Sequence, residues 1–194
     1  MKRIILGFAL ALTIAAPAIA QIVDPLQSEE LIKKVINEPG TAWTFYGSGV
    51  TSKVIKDPDI PGGEAVRVTI SQKGANPWDA GALYQVLKPI KTGDVIYFAV
   101  YLRAPELKSG ETTAMPTMGV TQQDSPYAPI AVSDARIGNQ WGVYYAAAKA
   151  ITGYPRGKAR VSVQLASKKQ VIDLGPVFVL NLGPNYDIGT LPHN

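Results

Sequence analysis

From Thr41 onward the chain is a series of short apolar runs separated by glycine, proline and polar clusters. Residues 43–46, 50–56, 65–70, 83–86, 95–102, 115–122, 130–136, 141–148, 160–165 and 177–182 are rich in β-branched and aromatic side chains, the composition of a pleated, half-buried surface. Their spacing, with turn signals at intervals of about 8 to 12 residues, predicts some ten strands in a sandwich or barrel. Residues 146–150 could form a helical turn by their alanine content, but Gly142 and the pair Tyr144-Tyr145 favour a strand. The helical pattern outside the first residues is confined to 28–36. There Ser28 can cap, Glu29 and Glu30 suit the positive end of the dipole, and Leu31, Ile32, Val35 and Ile36 share a face until Pro39-Gly40. No strand–helix alternation and no internal repeat is present. The predicted fold is all-β, a jelly-roll β-sandwich of two antiparallel sheets with one short N-terminal helix.

The stretch 74–105, GANPWDAGALYQVLKPIKTGDVIYFAVYLRAP, reads as a β-hairpin with Trp78-Asp79 at its mouth. Asn76-Pro77 before Trp78 and Ala80-Gly81 after Asp79 place the indole in a turn, where it is expected to face solvent. Trp141 enters an apolar strand after Gly138-Asn139-Gln140 and is expected in the core, as are Trp43 and Tyr46.

The first twenty residues change the charge picture. Lys2-Arg3, an apolar run over 4–14 and Ala18-Ile19-Ala20 have the form of a secretory signal peptide, cleaved after Ala20. The run is too short to span a bilayer core of about 30 Å, so no membrane anchor is expected. Cleavage removes two of 19 basic residues and none of the 15 acids, leaving 17 against 15, a net charge of +2. The remaining Lys and Arg form no stripe, which argues against nucleic acid as a partner. The sequence lacks cysteine, so an exported chain relies on its core rather than disulfides. The organisation read from the sequence is a signal peptide over 1–20, a helical segment over 21–40, the sandwich over 41–183 and an irregular tail over 184–194, with a periplasmic or secreted location.

Candidate chemistry is sparse. His193 is the one histidine, which excludes Ser-His-Asp and Cys-His nucleophile systems and zinc sites built from two or more His or Cys. Paired carboxylates for glycoside hydrolysis, or a tyrosine with one of Arg67, Arg103, Arg136, Arg156 and Arg160 for a lyase, remain open by residue type, although no spacing singles any out. Sugar recognition needs less: exposed aromatics to stack on the apolar face of a sugar ring, with amides and carboxylates for its hydroxyls. Trp78, Asp79, Tyr127, Gln122 and Gln164 supply those types and are the candidate ligand-binding residues.

In order and spacing, Lys73-Gly74-Ala75-Asn76-Pro77-Trp78-Asp79-Ala80-Gly81, Lys91-Thr92-Gly93-Asp94 leading into Tyr97-Phe98-Ala99-Val100-Tyr101-Leu102-Arg103, Tyr127-Ala128-Pro129-Ile130-Ala131, and Asn139-Gln140-Trp141 together resemble the jelly-roll carbohydrate-binding modules of the family 4, 9 and 22 type, often attached to xylanases. The resemblance covers most of residues 43–183. It implies a two-sheet sandwich that binds a polysaccharide or oligosaccharide, with Trp78 as the stacking aromatic, Tyr127 as a second wall and Gln164 near a polar ligand position. It also implies a partner glycanase and a structural calcium, with Asn181 where such modules often carry an acid in the last strand. A neutral amide there lowers the charge available to a calcium ion. The function expected is non-catalytic binding of a neutral plant-type polysaccharide of the xylan or β-glucan class. The alternatives are a glycan-active jelly-roll enzyme, hydrolase or lyase, and a sandwich that serves protein interaction.

Overall fold

The computed structural model describes residues 29–194. After one helical turn, α1 (Glu29–Ile32), come ten strands: β1 (Thr44–Tyr46), β2 (Val50–Lys56), β3 (Glu64–Ile70), β4 (Gly81–Gln85), β5 (Val95–Arg103), β6 (Thr113–Gln122), β7 (Pro129–Ile137), β8 (Gly142–Lys149), β9 (Ala159–Gln164) and β10 (Gln170–Gly183). They form two five-stranded antiparallel sheets, β1-β4-β9-β6-β7 and β2-β3-β10-β5-β8, facing each other across the core. This is the jelly-roll sandwich expected from the strand pattern. The signal peptide and the Ser28 cap lie outside the described residues.

Alternation decides what each strand buries. Along β9, Val161 and Val163 are buried in the core while Arg160, Ser162 and Gln164 point the other way. Strand β5 is buried on both faces. Ile96, Phe98, Val100 and Leu102 enter the main core, and Val95, Tyr97 and Ala99 join Leu180, Leu182 and Leu191 in a smaller one on the outer side. Each such large side chain contributes about 1.5–3 kcal/mol on leaving water. Hence the near-continuous apolar run of 95–102, where a strand with one wet face would alternate.

Four expectations are corrected. First, β4 and β5 are not a hairpin. Strand β4 pairs with β1 and β9, β5 with β10 and β8, so each has both edges occupied in a different sheet. Their connection, 86–94, exceeds the two to five residues of a hairpin loop. It crosses between the sheets, with Ile90 bridged to Tyr154 and the Asp94 carboxylate accepting from Lys91 N–H at 2.8 Å.

Second, β10 begins at Gln170, seven residues before the sequence suggests. Gly175-Pro176 looks like a break but forms a bulge, and the shift between Leu174 and Val177 keeps Ile172, Leu174, Val177 and Val179 all on the core side. Gly175 is needed there, since a Cβ would stand 2.8 Å from Tyr101 Cβ.

Third, the helix lasts only one turn. Beyond the bulge the edge of β10 that β3 leaves free is covered by residues 34–37: Ile36 N–H donates to the Val179 carbonyl at 2.8 Å, and the Asn37 side chain bonds Val177 and Val179. An unpaired strand edge outcompetes continued helix through β-branched Val35 and Ile36. Leu31 and Val35 pack on the smaller core, Ile36 enters the main one, and Ile32 is exposed.

Fourth, Trp141 is not a core residue. It lies half-buried, its Nε1 donating to Asp57 Oδ2 at 3.1 Å and its ring under the Arg103 guanidinium. Trp43 is in the core as expected, edge-on to Tyr84 and bonded to the Gly175 carbonyl.

The tail over 184–194 runs along the surface. Leu191 is buried in the smaller core, and the Asn194 side chain accepts from Tyr145 N–H and donates to the Asp134 and Tyr145 carbonyls, joining edge strands β7 and β8. Covered edges of this kind resist pairing with another chain.

Candidate functional site

The outer face of the β1-β4-β9-β6-β7 sheet carries a groove of ≈ 610 Å³ lined by Tyr46, Trp78, Leu83, Thr117, Thr121, Pro126, Tyr127, Arg160, Ser162 and Gln164. Strand alternation builds its floor. Tyr46 stands beside core-facing Phe45, Leu83 between Ala82 and Tyr84, Arg160, Ser162 and Gln164 between the core valines of β9, and Thr121 beside Val120. At Leu83 and Arg160 the groove meets a second hollow of ≈ 350 Å³, which adds Gln85, Gln123 and Arg156 among others. From Gln164 to Arg160 the floor follows β9 for about 13 Å, four strand steps. Both hollows fall in the size range of ligand sites.

Trp78 forms one wall and is 57% exposed. Its loop is pinned to the end of β9 by Gly74 N–H to the Ala166 carbonyl, Ala166 N–H to that of Pro77, and Leu165 N–H to that of Ala80. Asp79 holds the turn from within: its Oδ2 accepts from Asn76 N–H at 2.8 Å, and its own N–H donates to the Asn76 carbonyl. Asp79 therefore points away from the groove, into a shallow recess with Lys73 and Gly74. Its part is to position the Trp78 loop.

Tyr127 forms the other wall, 54% exposed, with a left-handed backbone φ of 57°. The Arg160 guanidinium covers one ring face, 4.8 Å from the centroid. Between the walls Tyr46 lies across Gly81, where a Cβ would come 2.6 Å from its hydroxyl, so only glycine lets the phenol lie flat on β4. Burial raises the Tyr46 pKa, against the opposing pull of Arg160 and of a hydrogen bond with Ser162. That phenol stays protonated at neutral pH and serves as a donor.

Of the five candidate residues, the fold brings Trp78, Tyr127 and Gln164 to one groove. Asp79 and Gln122 are not among its lining residues. Gln122 follows Thr121 on β6, so its side chain takes the opposite face, while its N–H donates to the Ala128 carbonyl. Sequence reasoning missed Tyr46, placed in the core, and gave Arg160 no more than a place among the arginines open to a lyase. For Tyr46 the signal was present, since Phe45 inward means Tyr46 outward. For Arg160 no local signal existed.

The residues do not fit a calcium site at Asn181. The amide donates from Nδ2 to Asp94 Oδ2 at 2.6 Å, and its Oδ1 accepts from Gly183 N–H at 3.0 Å, so the side chain is already engaged in tying Asp94 to the end of β10. Among the described residues no cluster of three or more His, Cys, Asp or Glu could hold a metal ion.

Comparison of folds finds the same sandwich in several carbohydrate-binding modules. It matches the second N-terminal cellulose-binding domain of Cellulomonas fimi β-1,4-glucanase C (TM-score 0.54, 14% identity, 76% of this chain and 94% of that one). It likewise matches the CBM22-1 xylan-binding domain from Paenibacillus barcinonensis Xyn10C (TM-score 0.52, 14% identity, 77% and 92%). The CBM22-1-GH10 modules of a Clostridium thermocellum xylanase, complexed with xylohexaose, match at TM-score 0.54 and 14% identity over 79% of this chain. The chain spans 30% of that protein and 25% of an arabinose-bound α-L-arabinofuranosidase that it also matches. No protein-family model matches the sequence, and no curated protein does. The fold is that of the family 4 and family 22 modules.

Proposed function

We propose that the protein is an exported, non-catalytic carbohydrate-binding module that holds a polysaccharide of the xylan or β-glucan class along its groove. The observation that carries this reading is the pair of exposed aromatic walls, Trp78 and Tyr127, held at opposite ends of a floor of Gln164, Ser162, Tyr46 and Thr121. The rings stack on the apolar faces of sugar units and the polar floor bonds their hydroxyls. Both walls are set by backbone bonds before any ligand arrives, which limits the ordering cost of binding. The lining residues include no carboxylate pair for glycoside hydrolysis, and of the tyrosines beside Arg160, Tyr127 presents its ring face to the guanidinium while Tyr46 has a phenol whose pKa burial raises; these features favour binding over catalysis. The leader over 1–20 supports export, and the fold's occurrence beside glycanase domains supports a glycanase as partner.

Affinity gel electrophoresis against xylan, β-glucan, mannan and pectin tests the reading. Retardation by at least one glycan is expected, with Trp78→Ala weakening it by about 2 kcal/mol or more, the scale of a central aromatic anchor. No retardation by any glycan would remove the function, and full retardation of Trp78→Ala would remove the site.

A further inference from the structure

The groove floor holds two polar atoms that the protein itself leaves unserved. Thr121 on β6 and Arg160 on β9 are directly paired across the sheet. Thr121 is 8% exposed, and its Oγ1 has no hydrogen-bond partner; neither does the buried Nε of Arg160. The Tyr127 ring under the guanidinium balances its charge in part but accepts none of its in-plane N–H bonds.

The surroundings give these atoms a sign. The residues lining both hollows include Arg156 and Arg160 and no Asp or Glu. Of the acids nearest along the chain, Asp124 pairs with Lys158 at 3.0 Å, and Asp79 holds Asn76 while its charge is still felt at Tyr46 on the floor. A sugar hydroxyl would satisfy one donor and leave the positive potential standing. A carboxylate satisfies the planar guanidinium fork with two oxygens and leaves a lone pair for the threonine hydroxyl.

We propose that the groove takes a polysaccharide bearing uronic acid, whose carboxylate sits on Arg160 and Thr121 between the two aromatic walls, with Arg156 adding positive potential from the adjoining hollow. This rests on the polysaccharide-binding reading above and adds the charged group that the chain selects.

The test is calorimetric titration of the full-length protein with xylotetraose carrying one glucuronic acid, and with the same oligosaccharide after reduction of its carboxyl to the primary alcohol. The acid form is expected to bind at least about tenfold tighter, with an advantage that shrinks as salt is raised. Arg160→Gln should abolish the advantage, read as the ratio of the affinities for the acid and alcohol forms measured on the same variant. Arg160→Lys, which keeps the charge but not the fork, should keep the salt dependence and lose most of the advantage. Thr121→Val should reduce it about threefold. Equal affinity for the two forms, or an acid preference untouched by Arg160→Gln, overturns the proposal and leaves polysaccharide binding standing. Tighter binding of a sulfated xylotetraose than of the uronate overturns the carboxylate assignment. Failure of every xylotetraose form to bind overturns the uronate proposal, and the polysaccharide reading falls with it only where no glycan retards the protein in the affinity gels.

Discussion

Among the described residues two arginines stack on aromatic rings, one on each sheet, and they have opposite surroundings. Arg103 lies 4.5 Å above Trp141 and is held by two carboxylates: Nε bonds Asp173 at 2.8 Å and an Nη bonds Asp57 at 2.7 Å. Asp173 is fully buried between Arg103 and Arg67, its partners in register on β5 and β3, and Arg67 grips it with two further bonds. Arg160 lies 4.8 Å from Tyr127 with no carboxylate and a buried, unbonded Nε. The same pairing of cation and ring is therefore scaffold where acids close it and receptor where they are missing. What separates the two is whether the fold has already supplied the anion.

The largest effect is expected from breaking the closed pair. Asp173→Ala leaves Arg67 and Arg103 without their shared anion inside the structure, and removing one partner of a buried ion pair costs about 3–5 kcal/mol. Urea denaturation should show that loss as a lower midpoint, while Trp78 and Tyr127, in loops beside the other sheet, keep any glycan affinity within about twofold. An Asp173→Ala protein as stable as the parent would show the network to be surface decoration and undo the contrast.

The open pair should respond in the reverse sense. Tyr127 adopts a φ of 57°, in the left-handed region where a side chain costs about 1–2 kcal/mol and glycine costs little. Tyr127→Gly relieves that strain as it removes the ring, so the midpoint should move by no more than about 1 kcal/mol either way. Glycan binding should fall about tenfold with the loss of one stacking wall. Unchanged binding would mean that Tyr127 is no wall, and a large loss of stability would mean that it belongs with the scaffold.

The contrast also explains what the sequence could and could not disclose. Strands follow from period-two patterning, which survives burial, so the sandwich was readable residue by residue. The same parity would have turned Tyr46 outward and Gln122 away from Thr121. The role of Asp79 was readable too, since it stands three residues after Asn76, the spacing at which a side chain reaches back to an N–H at a turn. The pairing of β4 was not readable, because adjacency along the chain suggested β5 and only the sheet order gives β9. Nor was the difference between Arg103 and Arg160. Both are single arginines in apolar strands, and what distinguishes them is an aspartate 70 residues away for one and nothing comparable for the other.

The smallest effect lies in the acid response of the closed network. Burial pushes the Asp57 carboxyl up, but the Asp59 N–H, the Trp141 indole and Arg103 together hold its pKa below the ordinary aspartate value. A carboxylate with a depressed folded pKa adds stability that is fully present above its unfolded pKa and disappears as pH falls through the folded one. The stabilisation from Asp57 should thus be intact at neutral pH and decline below about pH 4. Asp57→Asn accepts the same indole hydrogen bond without the charge, so it should be less stable than the parent at pH 7, with the gap closing as the pH is lowered. Urea midpoints for the two proteins between pH 7 and pH 3 measure that gap. Arg160, with no acid beside it, contributes nothing to this convergence, so Arg160→Gln should track the parent over the same range. A gap between Asp57→Asn and the parent that stays constant with pH would show that the carboxylate acts by shape alone, and the closed pair would then differ from the open one in packing rather than in charge.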